Sequence, residues 1–219
     1  MAKKEREIKR LTAETKKEWL FIRDSIGGIG GSDAGAVCEV NPYRSREQCM
    51  NEMLGLTERP DLSENEKVQT GILIEPLLRN MYAVTNGKYT VECHPYDIIY
   101  RSDIPWRFAT LDGELTDESG RKGVWEAKYT KVYNPKQLMK WDGSIPDYYY
   151  AQIVHQLLAT EYEYAVLTAF IHKWDGDILI KNYEFNASEL TEDMAWVDAM
   201  EREFMEQLKE KRNETEESE

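Results

Sequence analysis

The chain has 219 residues, 41% of them apolar and 32% charged, and a formal net charge of −13. That much apolar material excludes a wholly disordered chain, and no apolar run is long enough to form a membrane-spanning helix. Three cysteines at irregular spacing, Cys38, Cys49 and Cys93, argue against a disulfide framework and suit reduced thiols in a cytoplasm.

In chain order, the first eleven residues read as a charged arm with no apolar stretch of the kind a secretory leader needs. Thr12 to Arg23 is expected to be an amphipathic helix with Trp19, Leu20 and Ile22 on its apolar side. The run Gly27-Gly28-Ile29-Gly30-Gly31-Ser32-Asp33 is too rich in glycine for helix or strand. Ser45 followed by Gln48 fits a capping box that opens a helix ending near Gly55. Ser63 and Glu66 repeat that pattern before a long helix closing at Asn86-Gly87, which Pro76 should kink or split just after Glu75.

The character then changes to β-branched and aromatic residues. Tyr89–His94, Asp97–Arg101 and Trp106–Leu111 read as strands. A hairpin follows from Gly113 to Tyr129, turning at Glu118-Ser119-Gly120. Asp147 to Thr160 is helical, with Ile153, Gln156 and Leu157 at core-facing spacing. Glu163 to Phe185 reads as a second hairpin turning at Asp175-Gly176. Residues 186–212 form a long charged helix, and 213–219 an acidic, frayed tail. The expected fold class is therefore α/β with α+β character: a central mixed sheet flanked by helices, in one domain over residues 1–219.

Charge is distributed unevenly along this order. Residues 184–219 hold thirteen acids and four bases, whereas Arg121 to Lys140 hold six bases and one acid, interleaved with Trp125, Tyr129, Tyr133 and Trp141. A basic stretch with aromatics is one footprint of nucleic-acid binding. The bulk charge argues against a nucleic-acid partner, but the acidic segment is expected on a surface helix away from any DNA path. Strong dependence on salt and on divalent cations is expected instead.

The chemistry concentrates at Leu111-Asp112-Gly113 and Val124-Trp125-Glu126-Ala127-Lys128. Side chains alternate along a strand, so Glu126 and Lys128 share a face, and the hairpin can bring Asp112 beside Glu126. Two carboxylates and a lysine suit Mg²⁺-assisted hydrolysis of a phosphodiester, because a hard cation takes oxygen ligands and polarises the phosphoryl group. Lys128 can orient or deprotonate the water, or offset charge on the phosphate. A Glu-x-Lys pair alone is more often a surface charge pair, although its apolar flank argues for a purpose.

These residues resemble the phage lambda exonuclease and YqaJ-type viral recombinase family, within the PD-(D/E)xK nuclease superfamily, which has a restriction-endonuclease-like core. The resemblance runs from about Trp19 to Ile171 and rests on five motifs in order: Trp19-Leu20-Phe21-Ile22-Arg23, Gly28-Ile29-Gly30-Gly31-Ser32-Asp33-Ala34, Gly71-Ile72-Leu73-Ile74-Glu75-Pro76, Asp112 with Glu126-Ala127-Lys128, and Pro146, Tyr149 and Gln152. Asp24 to Gly27 separate Arg23 from the glycine element by two residues more than is usual in the family, and Leu111 stands where many relatives have proline.

The resemblance implies that Asp112, Glu126, the Ala127 carbonyl and Glu75 hold Mg²⁺, with Mn²⁺ as a substitute. It implies that Lys128 activates or positions water and that Gln152 orients Lys128 or the water. Arg23 and Ser32 would take a terminal 5′-phosphate. A forked guanidinium and a glycine-rich turn around Gly31, with its exposed N–H groups, suit that task. Tyr149, Lys131 and Lys136 are the expected DNA-facing residues. The implied activity is a 5′–3′ exonuclease on duplex DNA ends that leaves 3′ single strands for an annealing partner. The implied setting is a trimeric homo-oligomer of phage or prophage origin in a bacterial cytoplasm. The rival readings are an endonuclease or single-strand-specific nuclease on the same core, and a non-catalytic DNA-binding scaffold.

Other motifs carry less. Gly28-x-Gly30 follows a helix rather than a strand and lacks a Gly-Lys-Ser/Thr, so it fits neither a dinucleotide site nor a P-loop. Cys93-His94 with Cys38 or Cys49 matches no zinc spacing. His155 reads as packing or support behind the site, and no Ser/His/Asp or Cys/His arrangement is recognisable.

Overall fold

The computed structural model describes residues 6–216. The chain starts with strand β1 (Ile8–Thr12), followed by helices α1 (Lys16–Ile26), α2 (Gly31–Val37), α3 (Arg46–Met53) and α4 (Glu66–Thr85). Strands β2 (Tyr89–Glu92), β3 (Asp97–Arg101), β4 (Ile104–Ala109), β5 (Gly113–Asp117) and β6 (Lys122–Lys131) come next, then the short helix α5 (Pro135–Met139) and helix α6 (Asp147–Thr160). Strands β7 (Tyr164–His172) and β8 (Ile178–Asn186) lead to the final helix α7 (Thr191–Glu216).

The strands form a five-stranded sheet, β2-β5-β6-β7-β8, and a smaller one, β1-β3-β4. In the larger sheet only β6 and β7 run parallel, so it is mixed, as expected. Alternation along β6 decides what each face carries. Val124 packs with Leu167, Ile153 and Leu157, whereas Trp125 packs with Val166, Leu78 and Tyr82 on the face covered by α4. A further layer of α2 and α7 closes over α6 through Ala34, Cys38, Val154 and Val197. Among the described residues, no helix is long and apolar enough to cross a membrane.

Five local expectations need correction. The charged arm is not all arm: β1 pairs with β3, because Arg10 and Thr12 satisfy the buried carboxylates of Asp97 and Glu114 (Arg10 to Glu114 2.6 Å, Thr12 to Asp97 2.6 Å). Its first five residues lie outside those described. The first helix starts four residues late, with Thr15 as its N-cap. Gly31-Ser32-Asp33 is helical, since the Asp33 carboxylate caps the Gly30 N–H at 3.2 Å and Ala34, Ala36 and Val37 bury the face behind it.

Helix α4 runs unbroken through Pro76 and is capped by Asn65, not Ser63. Proline costs the Ile72 carbonyl its partner, but Ile72 is exposed to water and the burial of Leu78 and Tyr82 holds the helix to the sheet. Finally, α7 starts at Thr191 and continues through Glu216, so 213–216 are helix rather than tail, and 217–219 lie outside the described residues. The hairpin turns at Gly120 and Gly176 stand as expected, both at positive φ, and α6 has the predicted bounds.

Candidate active site

The site forms where β5 and β6 open at one end of the sheet. Gly113 pairs with Trp125 in the antiparallel register, so Asp112, one residue earlier, falls beside Glu126. The Asp112 carboxylate accepts a 2.9 Å hydrogen bond from the Ala127 N–H, and its carbonyl accepts one of 2.6 Å from Arg79. Glu126 and Lys128 point to the α6 face, and the Lys128 ammonium donates to Glu126 Oε1 at 2.6 Å.

Two glutamines of α6 converge on the same carboxylate. Gln152 donates to Glu126 Oε1 at 2.6 Å, and Gln156 donates to Oε2 at 2.7 Å. Gln156 was legible only as a core position. Its separation of four residues from Gln152 is the signal that could have placed both on one helix face. Glu75 arrives on α4 from the opposite face of the sheet. It lines a cleft of about 220 Å³ together with Gly71, Asp112, Glu126, Ala127 and Lys128. Within that cleft its carboxylate accepts from Arg79 at 3.0 Å.

The electrostatics follow from this crowding. Burial, then the neighbouring carboxylates of Glu126 and Glu75, push the Asp112 carboxyl well above the usual aspartate range, against the pull of Lys128. Burial works against the Lys128 ammonium, yet the carboxylates of Glu126 and Asp112 outweigh it and hold the amine above its ordinary value. Three carboxylates and a backbone amide group around one cleft are hard oxygen donors of the kind a divalent cation takes, and such a cation relieves their mutual repulsion. The donor chemistry therefore fits. Among the described residues, however, no group of three or more His, Cys, Asp or Glu side chains already closes on one point. Glu126 is engaged by Lys128 and the two glutamines, and Glu75 by Arg79.

The remaining predicted residues separate into two neighbourhoods. The Arg23 guanidinium lies 4.5 Å from the Trp19 ring and 5.8 Å from Phe108. Its Nε is buried without a hydrogen-bond partner among the described residues, and burial lowers the group below its ordinary value. It lines a larger cleft of about 510 Å³ with Arg59 and Arg212, whose positive charge is offset by Asp24, Asp33 and Glu52. Arg212 belongs to α7, so the C-terminal helix contributes a base to this cleft.

Ser32 is exposed on the first turn of α2 and does not line that cleft. The glycines around it have a packing reason. A Cβ at Gly28 would lie 2.0 Å from the Trp106 carbonyl oxygen, one at Gly30 3.2 Å from the Phe108 ring, and one at Gly31 3.3 Å from Gln152 Cγ. The other neighbourhood is a cleft of about 440 Å³ that shares Gly71, Ala127, Lys128 and Tyr129 with the carboxylate cleft and adds Lys67, Lys131, Tyr148 and Tyr149. The Lys128 ammonium stands 4.9 Å from the Tyr149 ring. Lys136 is exposed on α5, outside the cleft.

Comparison with known proteins places these observations. The family model of the YqaJ-like viral recombinase domain matches residues 18–163. No curated protein matches the chain. Among solved structures, an alkaline exonuclease from Laribacter hongkongensis superposes with a TM-score of 0.64 at 20% identity, covering 93% of this chain and 100% of that one. Its complex with dAMP gives 0.65 at 19% identity, over 93% and 100% of the two chains. A phage-related exonuclease from Haemophilus somnus 129PT gives 0.52 at 13% identity, over 84% and 96%. At these identities the likeness is one of fold.

Proposed function

Because the chain belongs to the family of YqaJ-like viral recombinase domains, we propose that it is a metal-dependent 5′–3′ exonuclease acting on duplex DNA ends and leaving 3′ single strands. The observation that carries this reading is the carboxylate cleft, in which Asp112, Glu126 and Lys128 meet at the end of β5 and β6 beside Glu75. The solved relatives named as exonucleases support it at the level of fold.

Asp112, Glu126, the Ala127 carbonyl and Glu75 would hold Mg²⁺, or Mn²⁺ in its place. When bound, the cation supplies Lewis-acid polarisation of the phosphoryl group. The protein's own residues do the rest. Lys128 offers N–H donors to the attacking water or to charge growing on the phosphate, and Gln152 keeps that ammonium and Glu126 in register. Tyr149, Lys131 and Lys67 border a path for the strand that leads into the cleft, with Lys136 at its outer edge. Arg23, with Gly31 and Ser32 nearby, takes the 5′-terminal phosphate; the unpartnered Nε of Arg23 supports that assignment. The same reading includes a strand-annealing partner, a ring-shaped trimer, a single nuclease domain and a phage or prophage origin in a bacterial cytoplasm.

The test is digestion of linear duplexes with 5′-phosphate or 5′-hydroxyl ends against a closed circle, with Mg²⁺, Mn²⁺ or a chelator. We expect the linear 5′-phosphorylated duplex to be degraded from its 5′ ends only when a divalent cation is present. Glu126→Gln should lower the rate by about 10²–10³-fold, the scale of losing one electrostatic stabiliser, while DNA binding persists. Cutting of the circle at an equal rate would favour an endonuclease, and no cutting under any condition would favour a DNA-binding scaffold.

A further inference from the structure

We propose that Gln156 is a positioning residue that fixes which oxygen of Glu126 can serve the active site. This inference rests on the reading of Glu126 as a metal ligand. The two oxygens of that carboxylate are held differently. Oε1 faces the cleft and accepts from Lys128 and Gln152, both half-buried side chains that can move aside. Oε2 points inward and, among the described residues, accepts from Gln156 alone, which is 1% exposed.

Gln156 is itself held from several sides. Its backbone carbonyl accepts a 2.8 Å hydrogen bond from the Thr160 hydroxyl, and its Cγ lies where a Cβ on Gly31 would come within 3.6 Å. Flipping the amide would set its oxygen against Glu126 Oε2, so the carboxylate dictates the orientation. Its own Oε1 consequently has no hydrogen-bond partner among the described residues.

A buried carbonyl oxygen left unpaired is costly. A methionine or leucine would fill the same space without that unpaired oxygen, but would leave the buried Glu126 Oε2 without its donor. Binding at Oε2 accounts for the glutamine: with that oxygen held from behind by Gln156, Oε1 is the oxygen that Glu126 can offer to the cleft once Lys128 or Gln152 gives way. Partners behind metal ligands of this kind are typically worth roughly 10–100-fold in metal affinity or activity.

The experiment compares the unmutated full chain with Gln156→Met and Gln156→Leu, whose different shapes guard against a packing fault peculiar to one of them. Mn²⁺ binding is measured by calorimetry, turnover on linear duplex DNA by kinetics, and folding by thermal melting. Both variants should bind Mn²⁺ about tenfold more weakly and lose about tenfold in kcat. Their KM for DNA should stay within about twofold, and each should keep a cooperative melting transition that shows it is folded.

A folded variant with unchanged Mn²⁺ affinity and kcat overturns the proposal. So does a variant that fails to fold, because that assigns Gln156 to stability, and so does an unmutated chain that binds no Mn²⁺. If the unmutated chain binds Mn²⁺ but cuts no DNA, the nuclease reading fails, and the Mn²⁺ affinities of the variants still decide the role of Gln156.

Discussion

Gly31 shows how a single atom ties two distant motifs together. It opens α2, and the space its missing Cβ would fill is occupied by Gln152 Cγ at 3.3 Å, with Gln156 Cγ just beyond. Both glutamines donate to Glu126. A methyl group there requires the neighbours to shift by a few tenths of an ångström. In a helix, alanine is by itself favoured over glycine by about 1 kcal/mol, so stability and activity should part company. Gly31→Ala is expected to keep its Tm within about 3 °C while kcat drops several-fold, because displacements well below 1 Å already disturb a site of this kind. Unchanged kcat in Gly31→Ala would show that the glycine is not needed for the register of the glutamines.

At the scale of the element, α4 shows burial overriding propensity. Proline in a helix interior removes an N–H and is disfavoured by about 3 kcal/mol relative to alanine. Even so, α4 continues for 20 residues through Pro76. The helix tolerates it because Leu78 and Tyr82, just beyond, are buried against Trp125 and Val166. Pro76→Ala should restore the hydrogen bond to Ile72 and raise the Tm by about 2–6 °C, the equivalent of about 1–2 kcal/mol in a chain of this size. A lower Tm in thermal melts would mean that the proline sets a curvature the packing requires. The residue before it, Glu75, is the carboxylate of α4 that enters the cleft, so this variant also reports whether local helix shape governs its approach.

At the scale of the whole molecule, the distribution of charge matters more than its sum. The acidic helix α7 is docked by an internal network. Arg107, fully buried on β4, donates to Glu201 and, at 2.7 Å, to Asp198. The other oxygen of Glu201 lies 2.6 Å from His155, whose second ring nitrogen faces the Phe108 carbonyl. Burial alone would raise the Glu201 carboxyl, but His155 and Arg107 outweigh it and hold it below the usual glutamate value. The unfolded chain therefore binds the proton more readily. The contribution to stability is complete above the ordinary glutamate value of about 4.3 and is lost as pH falls through the lowered one. Glu201→Gln should cost roughly 3 kcal/mol at pH 7, and denaturant melts should show the gap to the unmutated chain closing below about pH 4. A gap that stays constant with pH would mean that hydrogen bonding, not charge, docks α7.

The sequence by itself determined what depends on neighbours in the chain. Turns at Gly120 and Gly176, the capping box of α3, the bounds of α6 and the shared face of Glu126 and Lys128 all follow from local spacing and backbone geometry. The pairing of Asp112 with Glu126 was also legible, because a hairpin's register follows from its turn. Tertiary structure alone decided the rest. β1 exists because Asp97 and Glu114, 87 and 104 residues later, need Arg10. α2 forms in a glycine-rich run because α6 and α7 bury its face, and Gln156 serves Glu126 because β6 and α6 meet across the sheet. Such contacts join residues far apart in the chain, and burial, which makes an unpaired charge or donor costly, chooses their partners only after the layers have packed.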